Sequence, residues 1–282
     1  MPELPEVETI LRGLRKHLTG EVICKADCKP ARIFHFNGFN AAKLLAGDSI
    51  KRLERRCKYL VFRLSRVNMV IHLGMTGQLL VEPAAEPTAS PGDTRDPHVH
   101  FTLSFQSGKK MRYRDTRKFG KILFFPGETD MLSYFQRLGT EPLSAEFTFR
   151  RFDQMLGRRK CRIKSFLLQQ SGVCGIGNIY ADEALYQAGI HPESLVSSLN
   201  ESTRRALHRA IPEVLQKGID SGGTTFSDYL NSEGEQGGFQ EELHVYGREK
   251  LPCRQCATLI ERIQVGGRSS HFCSACQKKF AS

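Results

Sequence analysis

The first residues of the chain carry the groups that covalent catalysis needs. The sequence opens with Met1, Pro2 and Glu3 in the segment MPELPEVET. If Met1 is removed after synthesis, Pro2 presents a secondary amine, and an α-amino group with a pKa of about 7.7–8.0 is partly unprotonated near neutral pH. Such an amine can attack a sugar or carbonyl carbon and form a charged iminium, with Glu3 beside it as acid or base. Because Met-Pro is also an ordinary start, the rest of the chain must decide between the two interpretations.

A helix is predicted directly after these residues, and it would hold Pro2 and Glu3 in a fixed place. Apolar residues recur at helical spacing over residues 5–18, and Pro5 suits a first helical turn. Over residues 20–126 the pattern changes to short apolar runs separated by turns, such as YLVFRL, NMVIHL and KILFF. These runs predict the strands of a sandwich or a barrel, with a loop at 82–97.

The second half of the chain predicts helices and a compact C-terminal segment. Residues 128–217 show helical patterns, including one stretch over 149–170, and the glycine-rich polar segment 221–239 is predicted to be a flexible loop. We therefore predict three domains: 1–130, 131–243 and 244–282.

Four cysteines near the C-terminus have the spacing of a metal site. The two Cys-x-x-Cys pairs are Cys253 with Cys256 and Cys273 with Cys276. Two such turns form a tetrahedral sulfur cage for Zn²⁺, and four protein ligands leave no open coordination position. One structural zinc ion is therefore predicted. Between the pairs, two adjacent glycines predict a β-hairpin with Arg268 at its tip.

The composition favours a polyanionic partner. The formal charge is +11 and the pI is about 9.3, as in many nucleic-acid-binding proteins, although a basic enzyme of another class can have the same charge. No apolar run is long enough to span a membrane, and the acidic N-terminus argues against a secretory signal. The uneven, scattered cysteines favour a reducing compartment.

Three motifs contain groups suited to DNA. In GIGN, ending at Asn178, two glycines precede a predicted helix whose N-terminus offers N–H groups to a phosphate, and basic residues including Lys160 and Lys164 come before it. HLGMTG places Met75 between glycines, and DTRKFG places Phe119 beside Arg117. Apolar side chains flanked by a cation can fill the gap left by an extruded nucleotide, although the protein core is their commoner place.

Together these motifs resemble those of the bacterial formamidopyrimidine-DNA glycosylases, also called 8-oxoguanine DNA glycosylase/AP lyases. The resemblance runs from MPELPEVET through HLGMTG, DTRKFG and GIGNIYADEALY to CRQC…IQVGGRSSHFCSACQ, nearly the whole chain. It implies an α+β fold: an N-terminal helix with a two-layer β-sandwich, then a helical domain with a helix-two-turn-helix motif and a β-hairpin zinc finger. It also implies base excision repair of oxidised purines, in which Pro2 attacks C1′ and β- and δ-elimination follow.

The resemblance further implies roles for individual residues. The candidate catalytic residues are Pro2, Glu3, Lys58 and Arg268. The candidate DNA contacts are His72, Met75, His98, Arg117, Phe119, Lys160, Asn178, Tyr246 and Arg268. The candidate lesion-binding residues are Glu6, Thr224, Thr225 and Tyr229, with the loop 221–239 folding over the extruded base.

The implied partner is double-stranded DNA containing oxidised purines or abasic sites, bound by a monomer in the bacterial cytoplasm, with no membrane. Two alternatives remain at this point: an endonuclease VIII-type glycosylase for oxidised pyrimidines, and a zinc-finger DNA-binding protein without catalysis. The opening PELPEVE and the pair Arg117 and Phe119 favour the purine enzyme. The non-catalytic alternative predicts no special need for Pro2 or Glu3.

Overall fold

The computed structural model describes residues 2–29, 32–35, 41–84, 96–157, 159–226 and 229–281. Most of the predicted 82–97 loop lies outside these ranges. The helices are α1 (Leu4–Leu18), α2 (Ala41–Leu45), α3 (Glu128–Phe135), α4 (Phe149–Leu156), α5 (Ile163–Leu168), α6 (Asn178–Gln187) and α7 (Glu201–Asp220). The strands are β1 (Ile23–Cys28), β2 (Phe34–His35), β3 (Ile50–Arg56), β4 (Tyr59–Leu64), β5 (Asn68–His72), β6 (Gln78–Glu82), β7 (Val99–Phe105), β8 (Lys110–Arg114), β9 (Lys121–Phe125), β10 (Glu261–Val265) and β11 (Arg268–Phe272).

The chain divides into two compact units. The first comprises 1–135 together with 221–238, and the second comprises 136–220 together with 239–282. These limits differ from the predicted domain boundaries in two main respects: the segment 221–238, predicted to belong to the helical domain, groups with the N-terminal residues, and the C-terminal segment groups with the helices in one unit. The division into three domains stays a prediction.

The first unit is a β-sandwich. One sheet has the order β1-β7-β8-β6, and the other has the order β2-β9-β5-β4-β3. All neighbours pair antiparallel except β2 and β9, which pair in parallel over two residues. Apolar side chains of both sheets form one buried cluster, including Phe62 of β4 and Phe101 of β7. Two facing sheets with a shared core settle the choice between sandwich and barrel in favour of the sandwich.

Helix α1 closes this core, as its periodicity predicted. Its apolar residues are almost fully buried and belong to the same cluster as both sheets. Burial of one face anchors the whole helix, since most helical stability in proteins comes from packing an amphipathic face. The helix N-terminus, where Pro2 and Glu3 lie, is therefore fixed in position by the packing of the turns that follow it.

The second unit is mainly helical and ends in a hairpin. The helix predicted over 149–170 is two helices, α4 and α5, because Gly157 adopts a φ of +49° and its N–H caps α4 on the carbonyl of Asp153. Strands β10 and β11 pair antiparallel around a turn at Gly266 and Gly267, as predicted. Within the described ranges, no helix has both the length and the apolar character needed to cross a bilayer.

Candidate functional site

The N-terminus of α1 gathers the groups with catalytic potential. Pro2 is buried, and Glu3 is the N-cap residue with only 2% of its surface exposed. The side chain of Glu6, one turn into the helix, accepts a 2.7 Å hydrogen bond from the Glu3 backbone N–H through Oε2. This is one half of a capping box, which fixes the backbone at the point where the helix begins. A carboxylate at this end also interacts favourably with the helix dipole.

The segment 221–238 is tied to the same carboxylate. Glu6 Oε1 accepts a 2.8 Å hydrogen bond from the Thr224 backbone N–H, and Glu6 is only 1% exposed. The Tyr229 hydroxyl donates to the Gly222 carbonyl at 3.1 Å, and burial next to Glu6 raises the pKa of this phenol. Gly223, at a φ of +86°, allows the approach, because a Cβ there would lie 3.1 Å from the Glu6 side chain. One carboxylate thus connects the N-cap residue and this segment.

A second set of contacts braces the segment itself. The Thr225 hydroxyl accepts from the Gly237 N–H at 2.9 Å and donates to the Tyr229 carbonyl at 3.2 Å. Further along, Glu233 pairs with His17 at 2.8 Å and with Lys16 at 3.1 Å on the last turn of α1. The four predicted lesion-binding residues therefore lie together beside the start of α1.

Lys58 lies in the tight turn between β3 and β4 and is 6% exposed. The turn is connected to α1 by Arg55, whose Nε contacts Glu8 at 2.9 Å and whose guanidinium also donates to the Cys57 carbonyl at 3.1 Å. Burial opposes ionisation of Glu8, but the hydrogen bond and charge of Arg55, with a contribution from Arg12, hold the pKa of this carboxyl below its ordinary value. The Glu8–Arg55 pair therefore links the turn that carries Lys58 to the helix of the N-terminus.

Two loops of the first unit present apolar side chains to solvent. Met75, between β5 and β6, is 37% exposed, and Phe119, between β8 and β9, is 45% exposed. The guanidinium carbon of Arg117 lies 4.6 Å from the centre of the Phe119 ring, and that of Arg32 lies 5.5 Å from it. Both are cation–π distances. Met75 and Phe119 therefore lie outside the core, which is the commoner place for such side chains, and they are accessible to a partner as the resemblance implies.

The two histidines predicted to contact DNA lie in different settings. His72, the last residue of β5, accepts the Gly74 N–H on Nδ1 at 3.1 Å, and its ring lies 4.7 Å from that of Tyr59. His98 is half-buried immediately before β7, and its carbonyl accepts the Asp115 N–H at 2.9 Å.

In the second unit, the start of α6 is joined to the hairpin. Gly177 is the N-cap residue of α6, and the Asn178 side-chain amide donates to the Ser269 carbonyl of β11 at 3.0 Å. Lys164 donates to the same carbonyl at 2.7 Å and forms a 2.6 Å ion pair with Asp182, both side chains being fully buried. Our grouping of Lys164 with the phosphate-binding cations was wrong, because this ammonium is enclosed and paired. Lys160 is exposed.

The remaining predicted DNA contacts of this unit are Tyr246 and Arg268. Glu183 of α6 accepts the backbone N–H groups of His244, Val245 and Tyr246, each at 2.9 Å. This carboxylate fixes the backbone at Tyr246. Arg268 is exposed and is the first residue after the two-glycine turn, paired with Val265.

The four predicted zinc ligands converge at the base of the hairpin. All four sulfur atoms lie within 4.8 Å of one another, with Cys253 to Cys276 at 3.9 Å and Cys256 to Cys273 at 3.4 Å. A tetrahedral site with Zn–S bonds of about 2.3 Å places its sulfurs roughly 3.8 Å apart, so the cluster fits the ion. The Tyr186 hydroxyl lies 3.3 Å from the Cys253 sulfur and the Gln255 N–H donates to it at 3.4 Å, which supports a ligating thiolate.

Sequence reasoning missed the residues that hold the others in place. These are Glu8 with Arg55, Glu183, and the pair of Lys164 with Asp182. One indication was available: Asp182 and Glu183 are adjacent acids inside the otherwise apolar helix IYADEALY. Charged residues on an apolar helix are rarely buried unless paired, so this position indicated buried partners.

The comparisons with known proteins agree with this arrangement. Models of the formamidopyrimidine-DNA glycosylase N-terminal domain, of its H2TH domain, and of the zinc finger found in FPG and IleRS match residues 1–122, 138–229 and 250–279. A formamidopyrimidine-DNA glycosylase of Desulforamulus reducens is 43% identical over 282 residues, covering 99% of each chain. One of Bacillus subtilis is 42% identical, covering 99% of this chain and all of the relative.

Solved structures give the same result. The MutM (Fpg) protein from Thermus thermophilus is 38% identical with a TM-score of 0.86, over 99% of this chain and all of that one. The Lactococcus lactis Fpg in complex with DNA containing an abasic site is 36% identical with a TM-score of 0.88, over 98% and 100%. The α+β fold and the structural zinc site are confirmed, and the relatives' names agree with the principal interpretation rather than with the two alternatives. This chain belongs to the formamidopyrimidine-DNA glycosylase family, whose members are base excision repair enzymes with N-glycosylase and AP lyase activities.

Proposed function

We propose that the N-terminus of α1 is the catalytic centre and that Pro2 is the nucleophile. After loss of Met1, the Pro2 nitrogen attacks C1′ of a damaged nucleotide, and the bond from C1′ to the base breaks. The proton lost from the Pro2 nitrogen passes to the departing base. Glu3 then donates a proton to the sugar ring oxygen O4′ as the C1′–O4′ bond breaks, which leaves an iminium between the Pro2 nitrogen and C1′. This iminium acidifies the C2′ hydrogens, so that elimination of the 3′ phosphate follows. The observation that carries this assignment is the Glu6 carboxylate, which accepts N–H groups from both Glu3 and Thr224.

The segment 221–238 is proposed to form the lesion pocket. Since Thr224 and Tyr229 hydrogen-bond to Glu6, and Thr225 hydrogen-bonds to Tyr229, a base held by this segment lies beside the residues proposed to react with its sugar. Lys58 completes this centre as a cation for the phosphate or the damaged base, in a turn that Arg55 and Glu8 connect to α1.

The proposed substrate is duplex DNA containing an oxidised purine or an abasic site. Met75 and Phe119 fill the place of the extruded nucleotide, and Arg117 pairs with the cytosine opposite the lesion. His72, His98, Lys160, Asn178, Tyr246 and Arg268 are proposed to contact DNA, most of them at phosphates. The exposure of the apolar pair beside Arg117 supports this proposal, since exposed large apolar side chains next to a cation suit insertion into a duplex.

We further propose that the protein acts as a monomer on the DNA of the bacterial cytoplasm. The bacterial origin of the relatives supports this location.

Borohydride trapping tests the nucleophile. The wild-type protein is incubated with a duplex containing 8-oxoguanine opposite cytosine, reduced with borohydride, and the adduct is mapped by peptide mass spectrometry. We expect the adduct on Pro2. An adduct on Lys58, or purified active protein that retains Met1, would contradict the assignment.

A matched pair of variants tests the acid. Glu3→Gln should lose base excision while keeping its affinity for the duplex, whereas Glu82→Gln, the same change at a partly exposed carboxylate of β6, should retain both. Full turnover by Glu3→Gln would remove Glu3 from its role. A parallel assay on a duplex with an oxidised thymine separates the purine enzyme from the endonuclease VIII type.

A further inference from the structure

The Asp115 carboxylate lies at the centre of a hydrogen-bond network beneath the exposed loops of the first unit. Asp115 is completely buried. Its Oδ1 accepts from the Thr76 hydroxyl at 2.6 Å and from the Arg117 N–H at 3.2 Å. Its Oδ2 accepts from the Gly120 N–H at 2.9 Å and from the Tyr113 hydroxyl at 3.2 Å. Buried carboxylates are costly unless they are bonded in this way.

The four donors come from different places in the chain. Thr76 belongs to the loop that carries Met75, whereas Arg117 and Gly120 flank Phe119 in the other loop. The Thr76 hydroxyl also accepts the Arg117 N–H at 3.2 Å, so one hydroxyl and one carboxylate join the two loops. Across the described residues, no lysine or arginine side chain forms an ion pair with Asp115. The Asp115 carboxylate is therefore stabilised by neutral hydrogen-bond donors and not by the charge of a lysine or arginine.

The loops are also in direct contact. Gly74 has a φ of +64°, and a Cβ there would lie 2.5 Å from the backbone carbonyl carbon of Phe119. A Cβ on Gly120 would lie 1.7 Å from the Tyr113 hydroxyl oxygen. Below them, the ring of buried His100 hydrogen-bonds through Nε2 to the Asp115 carbonyl at 3.0 Å. The glycines allow an approach that places all the network's atoms within hydrogen-bond distance.

We propose that Asp115 and Thr76 are positioning residues that set the opposite-base selectivity of the enzyme. They hold Met75, Arg117 and Phe119 in one arrangement before DNA binds. This inference rests on the proposed function of these three side chains as the group that enters the duplex.

Because the network is buried, Asp115 and Thr76 can position the two loops without contacting DNA themselves. Asp115 is 0% exposed and Thr76 is 7% exposed, so neither presents a surface to DNA. The Arg117 backbone is bonded to both, while its guanidinium lies over the Phe119 ring at 4.6 Å. A displacement of roughly 1 Å in a positioned group can lower a rate by about 10²-fold. Loss of the network should therefore act through the geometry of Arg117.

Two variants at one position test the proposal. Thr76→Val keeps the shape but removes the hydroxyl, whereas Thr76→Ser keeps it; Thr102→Val, a like change in β7, is the matched control. We measure kcat/KM on 8-oxoguanine opposite cytosine and opposite adenine, borohydride trapping on a single-stranded abasic oligonucleotide, and the thermal unfolding temperature. The single strand has no opposite base, so trapping on it does not need the inserted side chains.

Thr76→Val should lower kcat/KM opposite cytosine by about tenfold or more. It should also lower the ratio of kcat/KM opposite cytosine to kcat/KM opposite adenine, while trapping on the single strand stays within about twofold of wild type. Thr76→Ser, which keeps the hydroxyl, should have nearly the wild-type ratio, and Thr102→Val should not change the ratio. Asp115→Asn should have the same effect as Thr76→Val or a larger one.

Two results would overturn the inference. One is an unchanged cytosine-to-adenine ratio in Thr76→Val; the other is an equal loss on the single strand and the duplex, which would mean that the network only stabilises the fold. Failure of the proposed function is distinguishable, because the wild-type protein itself would then give no Pro2 adduct on either substrate.

Discussion

Replacement of Glu6 by glutamine should separate base excision from AP lyase activity. The carboxylate accepts two backbone N–H groups, from Glu3 at 2.7 Å and from Thr224 at 2.8 Å. A glutamine side chain offers one oxygen to one of these donors and turns its NH₂ group toward the other. The variant therefore loses one charge-assisted hydrogen bond, weakens the second, and leaves a buried N–H facing a donor.

The magnitude follows from these losses. A hydrogen bond to a charged group contributes about 1.5–3 kcal/mol, and an unpaired buried donor costs about 1–3 kcal/mol. A net loss of about 3 kcal/mol is expected, which corresponds to a factor of roughly 150 in an equilibrium constant. The loop residues around Thr224 should detach from the start of α1 more readily than the N-cap residue Glu3, which is also held by the helix.

The assay compares two reactions of Glu6→Gln. In the proposed function, excision of 8-oxoguanine depends on both the segment 221–238 and Glu3, so its kcat/KM should fall by about 100-fold. Cleavage at a preformed abasic site needs no base pocket and should fall by about tenfold or less. Urea unfolding should show the loss of about 3 kcal/mol, whereas Glu233→Gln, which removes a partly exposed ion pair, should cost no more than about 1 kcal/mol. Equal losses in both reactions, or unchanged stability, would refute the reasoning.

Two further predictions concern stability. The pKa of Glu8 is lowered in the folded chain, so the contribution of this carboxylate to stability is present above the unfolded value of about 4.3 and is lost as the pH falls through the folded value. Glu8→Gln should therefore be about 1 kcal/mol less stable than wild type at pH 7 by urea unfolding, and the difference should shrink as the pH falls below about 4.3. A constant difference across this range would rule out the ion pair with Arg55 as its cause. Chelation of zinc, or Cys256→Ser, should abolish duplex binding in a gel-shift assay and shift the unfolding of the C-terminal segment, while Cys24→Ser, at an exposed cysteine, should do neither. Retained binding by the chelated protein would make the zinc finger dispensable.

Sequence periodicity predicted the elements whose burial pattern is regular. Helix α1 is amphipathic along its length, and the apolar runs of β4 and β5 are mostly buried, so a pattern search finds both. Strand β1 was missed because its residues do not alternate: only Ile23 and Ala26 are fully buried in ICKADC. The break between α4 and α5 was missed although Gly157 marks it, since a glycine inside a helical pattern is ambiguous without its φ.

The chemistry of the candidate site was predicted better than the contacts that position it. The zinc ligands follow from spacing alone, because each pair lies on one short turn. The partners of Glu6 and Asp115 do not, since they involve Thr224, 218 residues away, and Thr76, 39 residues away. Lys164 was misjudged for the same reason: its charge is visible in the sequence, but its enclosure beside Asp182 depends on how α5, α6 and β11 meet.

The first unit is discontinuous in sequence, and this has a consequence for biosynthesis. Its last segment, 221–238, follows the whole run from 136 to 220 that belongs to the other unit. On the ribosome, the sandwich emerges long before the segment that completes it. The Glu6 carboxylate therefore lacks its hydrogen bond from Thr224 while about 85 further residues are translated. At ordinary rates of synthesis this takes about 4–17 s. A fragment ending near residue 135 would likewise lack the donor for that carboxylate. The nascent chain cannot complete the contacts of the proposed catalytic centre until most of its length has been made.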